Sequence, residues 1–543
     1  MTTLSELFKQ NRQDELWQRC CGFIDLSLED FMRIQRRLLL EQMELLKKCH
    51  LGRYIMNGAN PSNMEEFREQ VPLTTYADYA PYLLKRRMDV LPKKPLLWQY
   101  TSGKSGEYPY RWAPVTARQL EEIEPILFAL LIFSTCKQRN EINLRDQDKL
   151  FYGMAPPPYA SGTMTRAFPH ELFDFLPPVD EAERIPFEER MQSGFDMALS
   201  KGLDLMVTMS SVAVAIGDRL SQKGKKTNVK ALLKKPKAFS RLVRGVIKSK
   251  LAHRTLLPKD LWPLKGLVTF GMDGSVYKEK IKEMWGQYPL DSHGCTEGIM
   301  IAMQTWDYQG MTFVPNLNFF EFIPEEESIK SWQDPTYKPS TLLLDQVKPG
   351  KNYELVITSF HGGPFIRYKL GHLIKITSLR NEQLNIDIPQ MLFLSRIDDQ
   401  IDIAGFTRLS EKVIWQAIEN TGLSYESWTA RKEVKGEPIL HLYIELKENG
   451  YIAPEQVANA VHEQLKKLDT PYTELELFTG LRPLEVTLLP ESAFRLYKLG
   501  QQAAGAELAH LKPPHLNPSD DIIKFLVSTR RKVEVKTKEK VEA

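Results

Sequence analysis

From Leu4 to Leu51 apolar side chains recur every three to four positions among Leu, Glu, Lys and Arg. That spacing predicts helices. Pro72 to Asp78 reads as a turn into a short helix with Thr74 or Thr75 as its cap. Ala117 to Cys136 predicts a strongly apolar helix, and Leu150 to Met154 a buried strand with a long loop, Ala155 to Gly162, behind it. Phe195 to Ile216 predicts a further helix. Gly266 to Gly271 is a short apolar strand and Ser275 to Trp285 a helix. Strand then helix, with glycines at the joint, is the pattern of an α/β unit whose ligands sit beyond the strand's C-terminal end. Residues 313–322 and 353–358 predict strands. The pattern changes after Arg396. Helices are expected at Val413–Asn420 and Pro454–Leu468, with strands at Ile439–Leu446 and Pro483–Leu489. The fold class is therefore α/β, with a large N-terminal domain over 1–395 and a small α+β domain over 396–527. The charged tail, 528–543, predicts disorder.

Composition narrows the class. Hydrophobic residues at 42% and charged ones at 26% describe an ordinary soluble protein of 543 residues, long enough for a large core. The first twenty residues are mixed and charged, unlike a signal peptide. Ile126–Phe133 and Leu205–Ile216 are too short to span a bilayer and read as buried helices. Cys20, Cys21, Cys49, Cys136 and Cys295 are odd in number and lack metal-type spacing, as reduced thiols of a cytosol would be. Net charge is +3, but Arg219 to Arg254 holds thirteen Lys or Arg and no acid, so the rest of the chain carries −10. A solvated, partly flexible insertion is one reading of that block. An anionic membrane surface is the other, because Phe239, Leu242, Val243, Val246 and Ile247 interleave with the cations. Any helix there begins near Pro236. Nucleic acid is not expected.

Candidate chemistry centres on Tyr100-Thr101-Ser102-Gly103-Lys104-Ser105-Gly106. Glycines let backbone approach a ligand, turn N–H groups form an anion nest, and hydroxyls plus one lysine suit a phosphate. The Gly103-Lys104-Ser105 triplet is not a Walker A loop. That motif needs a glycine five positions earlier, where Trp98 stands. A plain polar loop is the alternative for this stretch alone. Downstream come His293-Gly294-Cys295-Thr296-Glu297, then Tyr368-Lys369-Leu370-Gly371-His372, then Arg396, Asp398, Asp399, Ile401, Gly405 and Arg408.

In this order the four stretches resemble the signatures of the ANL adenylate-forming superfamily. Thr74, Tyr76 and Asp78, Arg367 to Gly371, Arg482 to Val486 and Leu511 to Pro514 narrow the resemblance. Within the superfamily the chain is most similar to the acyl-acid amido synthetases first known as plant auxin-responsive proteins, with a length that suits a non-plant member. The resemblance implies a cytoplasmic ligase with a mobile small domain, using ATP and Mg²⁺. It would activate a carboxylic acid as an acyl adenylate and pass it to an amine, an amino acid. It implies that Thr101, Ser102, Gly103, Lys104 and Ser105 hold the β and γ phosphates. Thr296 would meet the α-phosphate, Glu297 the metal, Gly271 and Asp273 the adenine pocket, and His293 the adenine ring. His372 and Arg396 would meet the ribose.

Three positions depart from the pattern. His372 stands where the family has an aspartate, and a neutral histidine offers one acceptor in place of two. Asp402 stands where many members carry a lysine. The catalytic lysine of the C-terminal domain lacks its usual setting, and Lys512 fits the place first, Lys498 second. Two alternatives stay open: a coenzyme A ligase of the phenylacetate type, and a nucleotide-binding protein that has lost catalysis. Cys295 reads as a small buried thiol in preference to a thioester former.

Overall fold

The spacing of the first eighty residues resolves into six α-helices, from Leu4–Lys9 to Tyr76–Leu83. The last is capped at Thr75, whose N–H donates to Asp78 Oδ2 at 2.8 Å. The computed structural model describes residues 2–102, 110–154, 156–185, 187–221, 235–270, 274–334, 336–397, 400–403, 407–435, 437–447, 452–470, 472–473, 483–503 and 515–528. The chain divides into two units, Met1–Leu394 and Ser395–Ala543.

The strands of the first unit are β1 (Leu97–Ser102), β2 (Tyr110–Val115), β3 (Asp148–Gly153), β4 (Phe173–Leu176), β5 (Leu205–Met209), β6 (Gly266–Phe270), β7 (Leu290–Cys295), β8 (Ile299–Met303), β9 (Met311–Phe313), β10 (Asn318–Pro324), β11 (Asn352–Ser359), β12 (Tyr368–Ser378) and β13 (Gln390–Arg396), the last of which runs two residues into the second unit. β1 and β2 form an antiparallel hairpin. The others make one sheet in the order β10-β11-β12-β13-β9-β8-β7-β6-β5-β3-β4 among the described residues. Its β4-β3-β5-β6-β7 half is parallel, whereas β7 with β8, β8 with β9, β9 with β13, β12 with β11 and β11 with β10 pair antiparallel. The change of direction falls at the end of β7, where the His293–Glu297 stretch begins.

Two apolar clusters sandwich the parallel half. Leu150, Tyr152, Leu205, Val207 and Val268 join the cluster that holds the helix Ala117–Thr135. Phe151, Met206 and Leu267 join the cluster of Leu199, Trp262 and Trp285 on the other face. Each strand alternates in direction yet is apolar on both sides, so its sequence shows no alternation.

That is why Phe195–Ile216 is not one helix. It is the end of a helix (Phe187–Lys201), then β5, then a second helix (Ser210–Ser221). Gly202, at φ +105°, breaks the first helix where other residues would be strained. The loop expected at Ala155–Gly162 is also shorter, because a helix starts at Ala160. The strand expected over 313–322 is two, β9 and β10.

In the second unit, β14 (Gln400–Ile403) pairs with β15 (Thr407–Ser410). β16 (Tyr425–Lys435), β17 (Glu437–Leu446) and β18 (Leu484–Leu488) form a separate three-stranded sheet. β17 and β18 are parallel, and the helix Pro454–Leu468 lies between them in sequence, as a crossover requires. Trp428, Leu440, Leu442, Val457 and Val461 form its core with the helix Glu411–Asn420.

Candidate active site

Two of the motif stretches lie against each other in the first unit. His293 Nε2 is 3.1 Å from His372 Nδ1, and the Tyr368 hydroxyl donates to Glu297 Oε1 at 3.2 Å. His293 thus meets His372 at one end and Glu297 meets Tyr368 at the other, so 293–297 and 368–372 run antiparallel. β8, β9 and β13 separate β7 from β12 in the hydrogen-bonded order. In a flat sheet that would be about 19 Å, at ~4.8 Å per strand. The sheet therefore curls, and its concave face holds this site. Phe393 of β13 completes the His293 end, stacking on the imidazole at 4.7 Å.

Each stretch is held by strained backbone with its own support. Ile299, just after the turn, sits at φ +63°, and Arg367, just before Tyr368, at φ +42°. Left-handed conformations of this kind cost non-glycine residues about 1–3 kcal/mol. Asn318 Nδ2 fastens the first by donating to the Gly298 and Met300 carbonyls at 2.7 and 3.2 Å. A Cβ on Gly294 would lie 2.4 Å from the Ile299 carbonyl oxygen, so only glycine fits there. The second is fastened by a buried charge network. Arg367 donates to Glu321 at 3.0 and 2.8 Å and to the Val71 carbonyl at 2.5 Å, and Arg68 and Thr341 also reach Glu321. Burial raises the Glu321 carboxyl, but the Arg367 charge and these hydrogen bonds outweigh it and hold the group below its usual range.

The turn into the helix Tyr76–Leu83 belongs to the same support. Thr74 N–H donates to the Arg367 carbonyl at 2.9 Å, and Lys369 N–H to the Thr74 carbonyl at 2.8 Å. The Tyr79 hydroxyl accepts from Ile366 N–H at 2.8 Å. Tyr368 then packs between Tyr79 and Phe365.

The hairpin β1–β2 is rooted at the other stretch. Gln99 Nε2, fully buried, donates to the Thr296 carbonyl at 2.8 Å. Thr101 pairs with Arg111 and Ser102 with Tyr110, one and two pairs beyond Tyr100–Trp112. Tyr100 packs on Trp112 and Tyr159. Gly103, Lys104 and Ser105 lie outside the described residues, as do Gly271, Asp273 and Lys512. Arg396 ends β13 in the second unit. Lys498 is half-buried on the helix Ala493–Ala503 of the same unit.

Electrostatics assign protonation states. Burial alone pushes His293 down to about 4, so its ring is neutral at pH 7. Burial pushes the Tyr368 phenol well above its usual value. The Glu297 charge adds to that shift and Arg111 opposes it. Tyr368 is therefore a permanent donor to Glu297. Burial likewise raises the Cys295 thiol, whose sulfur accepts from Gly298 N–H at 3.1 Å, so it is no nucleophile. Among the described residues no group of three or more His, Cys, Asp or Glu could cage a metal. Mg²⁺ does not need such a cage, because it takes one or two carboxylates and completes its shell with phosphates and water. Glu297, half-buried and steadied on one oxygen, fits that use.

Sequence reasoning named His293, Thr296, Glu297 and His372, read Thr74 only as a helix cap, and gave no role to Tyr368, Arg367 or Gln99. Tyr368 and Arg367 lie inside or beside a quoted motif, which was the available signal. Gln99 and Phe393 carried none.

The fold is shared with solved structures of an acyl acid amido synthetase and an acyl-CoA ligase. The structure of the AtGH3.15 acyl acid amido synthetase in complex with 2,4-DB superposes with a TM-score of 0.66 at 16% identity, covering 97% of this chain and 96% of that one. The structure of 2-hydroxyisobutyryl-CoA ligase with 2-HIB-AMP gives 0.59 at 14% identity, covering 94% and 93%. At such identities the likeness establishes the fold. In sequence, the GH3 family N-terminal domain matches residues 20–167 and the GH3 family central domain residues 311–396. Two stretches of the chain thus match GH3 family domains. Indole-3-acetic acid-amido synthetase GH3.3 of Arabidopsis thaliana is 25% identical over 229 residues, 40% of this chain and 36% of that relative. Jasmonoyl–L-amino acid synthetase GH3.5 of Oryza sativa subsp. japonica is 27% identical over 293 residues, 49% and 48%. The chain matches about a third to a half of these relatives' length.

Proposed function

We propose that this protein is an ATP-dependent ligase that joins a small carboxylic acid to the amino group of an amino acid. The observation that carries the reading is the antiparallel pair of stretches, with Glu297 steadied by Tyr368 at the foot of the hydroxyl-rich hairpin. The names of the GH3 relatives support the acceptor.

In the first step a carboxylate oxygen attacks the α-phosphorus of ATP. The new O–P bond forms as the bond to the β-phosphate bridging oxygen breaks, and pyrophosphate leaves. In the second, the amine nitrogen attacks the acyl carbonyl, the C–N bond forms, AMP leaves and the amine proton passes to solvent. The hairpin loop with Thr101, Ser102, Gly103, Lys104 and Ser105 holds the β and γ phosphates. Thr296 meets the α-phosphate, and His372 and Arg396 the ribose. Gly271 and Asp273 line the adenine pocket, and neutral His293 offers its ring to the base. Lys512 assists the first step from the small domain. Glu297 would hold Mg²⁺, which offsets phosphate charge as it redistributes. The compartment is the cytoplasm, where ATP and reduced thiols are found. No described helix is long and apolar enough to cross a membrane. The thirteen Lys or Arg of the block 219–254, with no acid among them, support a position beside an anionic membrane surface.

Pyrophosphate release over a panel of acids, with AMP release measured with and without amino acids, tests the reading. Acid-dependent pyrophosphate release and amino-acid-dependent AMP release are expected, both lost in Glu297→Ala. Preformed adenylate consumed by coenzyme A and ignored by amino acids would make it a thioester ligase. ATP binding without turnover on any acid would make it a decayed member.

A further inference from the structure

The helix Pro236–Leu251 is turned inside out relative to an ordinary surface helix. Its buried residues are the small ones, Ala238, Gly245 and Ser249. A Cβ on Gly245 would come within 2.6 Å of Leu261 and 3.1 Å of Leu256, so the helix backbone lies close against the protein. Arg241 fastens it further by donating to the Ala198 and Leu199 carbonyls. Leu242 packs on the core, but the other large apolar residues point outward. Phe239 is 39% exposed, Val243 40%, Val246 40%, Ile247 53% and Leu251 77%. At 100° per residue these five span about 140° of arc, centred opposite the buried face.

Lys237, Arg244 and Lys248 line one edge of that arc, and Lys250 lies within it, between Phe239 and Val243. Among the described residues none of the four pairs with a carboxylate. The acid nearest the helix in sequence, Asp260, is taken by Arg254 at 2.6 and 2.7 Å.

Deepening the membrane reading above, we infer that this helix lies in the interface of an anionic bilayer. Phe239, Val243, Val246, Ile247 and Leu251 enter the acyl boundary, and the flanking lysines and Arg244 meet lipid phosphates. Charge fixes the occupant. Four cations without a carboxylate partner among the described residues suit an anionic partner, and an exposed apolar arc on a helix surface suits a deformable lipid interface. A nucleic acid would leave the apolar arc in water.

The test is flotation of the full chain with vesicles of phosphatidylcholine alone or with added phosphatidylserine. The wild type should float with the mixed vesicles and stay behind with phosphatidylcholine. A V243S/I247S/L251S variant, which keeps every charge, should lose about tenfold or more of its partitioning. An R244E/K248E variant should lose the preference for phosphatidylserine. The substituted side chains are exposed, so melting temperatures should match the wild type. Equal recovery on both vesicles, or undiminished flotation of the triple-serine variant, overturns the inference. Sedimentation that shows a wild-type dimer and a triple-serine monomer would assign the face to a second copy and overturn it too. Pyrophosphate release with a soluble acid should be unchanged in both variants. Flotation without any such release would sink the ligase reading and leave this one standing.

Discussion

Tyr368→Phe isolates the contact that organises the site. The ring stays, so its packing on Tyr79 and Phe365 is kept and the fold should hold. Only the hydroxyl 3.2 Å from Glu297 Oε1 is lost. A hydrogen bond to a charged group contributes about 1.5–3 kcal/mol. At ~1.4 kcal/mol per decade, kcat/KM for Mg·ATP in acid-dependent pyrophosphate release should fall about 10- to 100-fold. The phenol is held far above its usual pKa by burial and by Glu297, so it donates throughout the neutral range. The deficit should therefore be constant between pH 6 and 9. A double-mutant cycle with Glu297→Gln locates the effect, because two groups that act through one contact are not additive. Tyr368→Phe added to Glu297→Gln should cost little more than Glu297→Gln alone. Wild-type kcat/KM in Tyr368→Phe, or full additivity in the cycle, would refute the argument that Tyr368 acts through Glu297.

Other expectations follow from neighbouring groups. Glu321→Gln leaves Arg367 short of its buried counter-charge and should cost about 3–5 kcal/mol in chemical denaturation, as loss of one partner of a buried pair does. A loss under ~1 kcal/mol would mean that the strained Arg367 backbone is held by its carbonyl acceptors alone. His372→Asp replaces a ring already engaged with His293 by a carboxylate with two acceptors, so calorimetry should show ATP binding about tenfold tighter. Equal or weaker binding would place the ribose elsewhere. In the second unit burial raises Glu433, but hydrogen bonds from His441, Tyr443 and Arg431 outweigh it and bring the carboxyl down to about 2. A depressed folded pKa stabilises above the unfolded value, ~4.5, and the gain is lost as pH falls from there toward 2. Discounted for solvent screening, it is about 1–2 kcal/mol. The gap in urea midpoint between wild type and Glu433→Gln should shrink below pH 4.5, and a gap constant from pH 7 to 3 would discard the argument.

What could be read from the sequence depended on how many faces an element buries. Ala117–Thr135 declared itself by length, and Pro454–Leu468 by one apolar stripe. β5 did not. Leu205, Met206, Val207 and Met209 are buried on both faces of a parallel sheet, and the helix from Ser210 continues the apolar run without a break in composition. Only Gly202 marked a join. β4 and β9 are four and three residues long, too short for any period to show.

The site divides in the same way, between residues that carry chemistry and residues that hold them. Hydroxyls, a lysine and a Thr-Glu pair are conspicuous in a sequence, so the hairpin loop and the 293–297 stretch could be named. Their holders are ordinary by composition. Gln99 is one glutamine among many, and its importance comes from burial opposite the Thr296 carbonyl, 197 residues away in sequence. Thr74 looked like a helix cap. Its backbone instead pairs with Arg367 and Lys369, on both sides of Tyr368, and so ties the N-terminal helices to the strand that faces Glu297. The motif around Thr74 and the motif around Tyr368 are therefore one structural feature, written in the chain at two places nearly three hundred residues apart. Arg367 shows the consequence for function. As a cation in a nucleotide-site motif it invites a role at phosphate, yet it is buried against Glu321, Val71 and Arg68. Its charge is spent on holding the backbone that aims Tyr368, so its removal should act on the site through Tyr368 and Glu297.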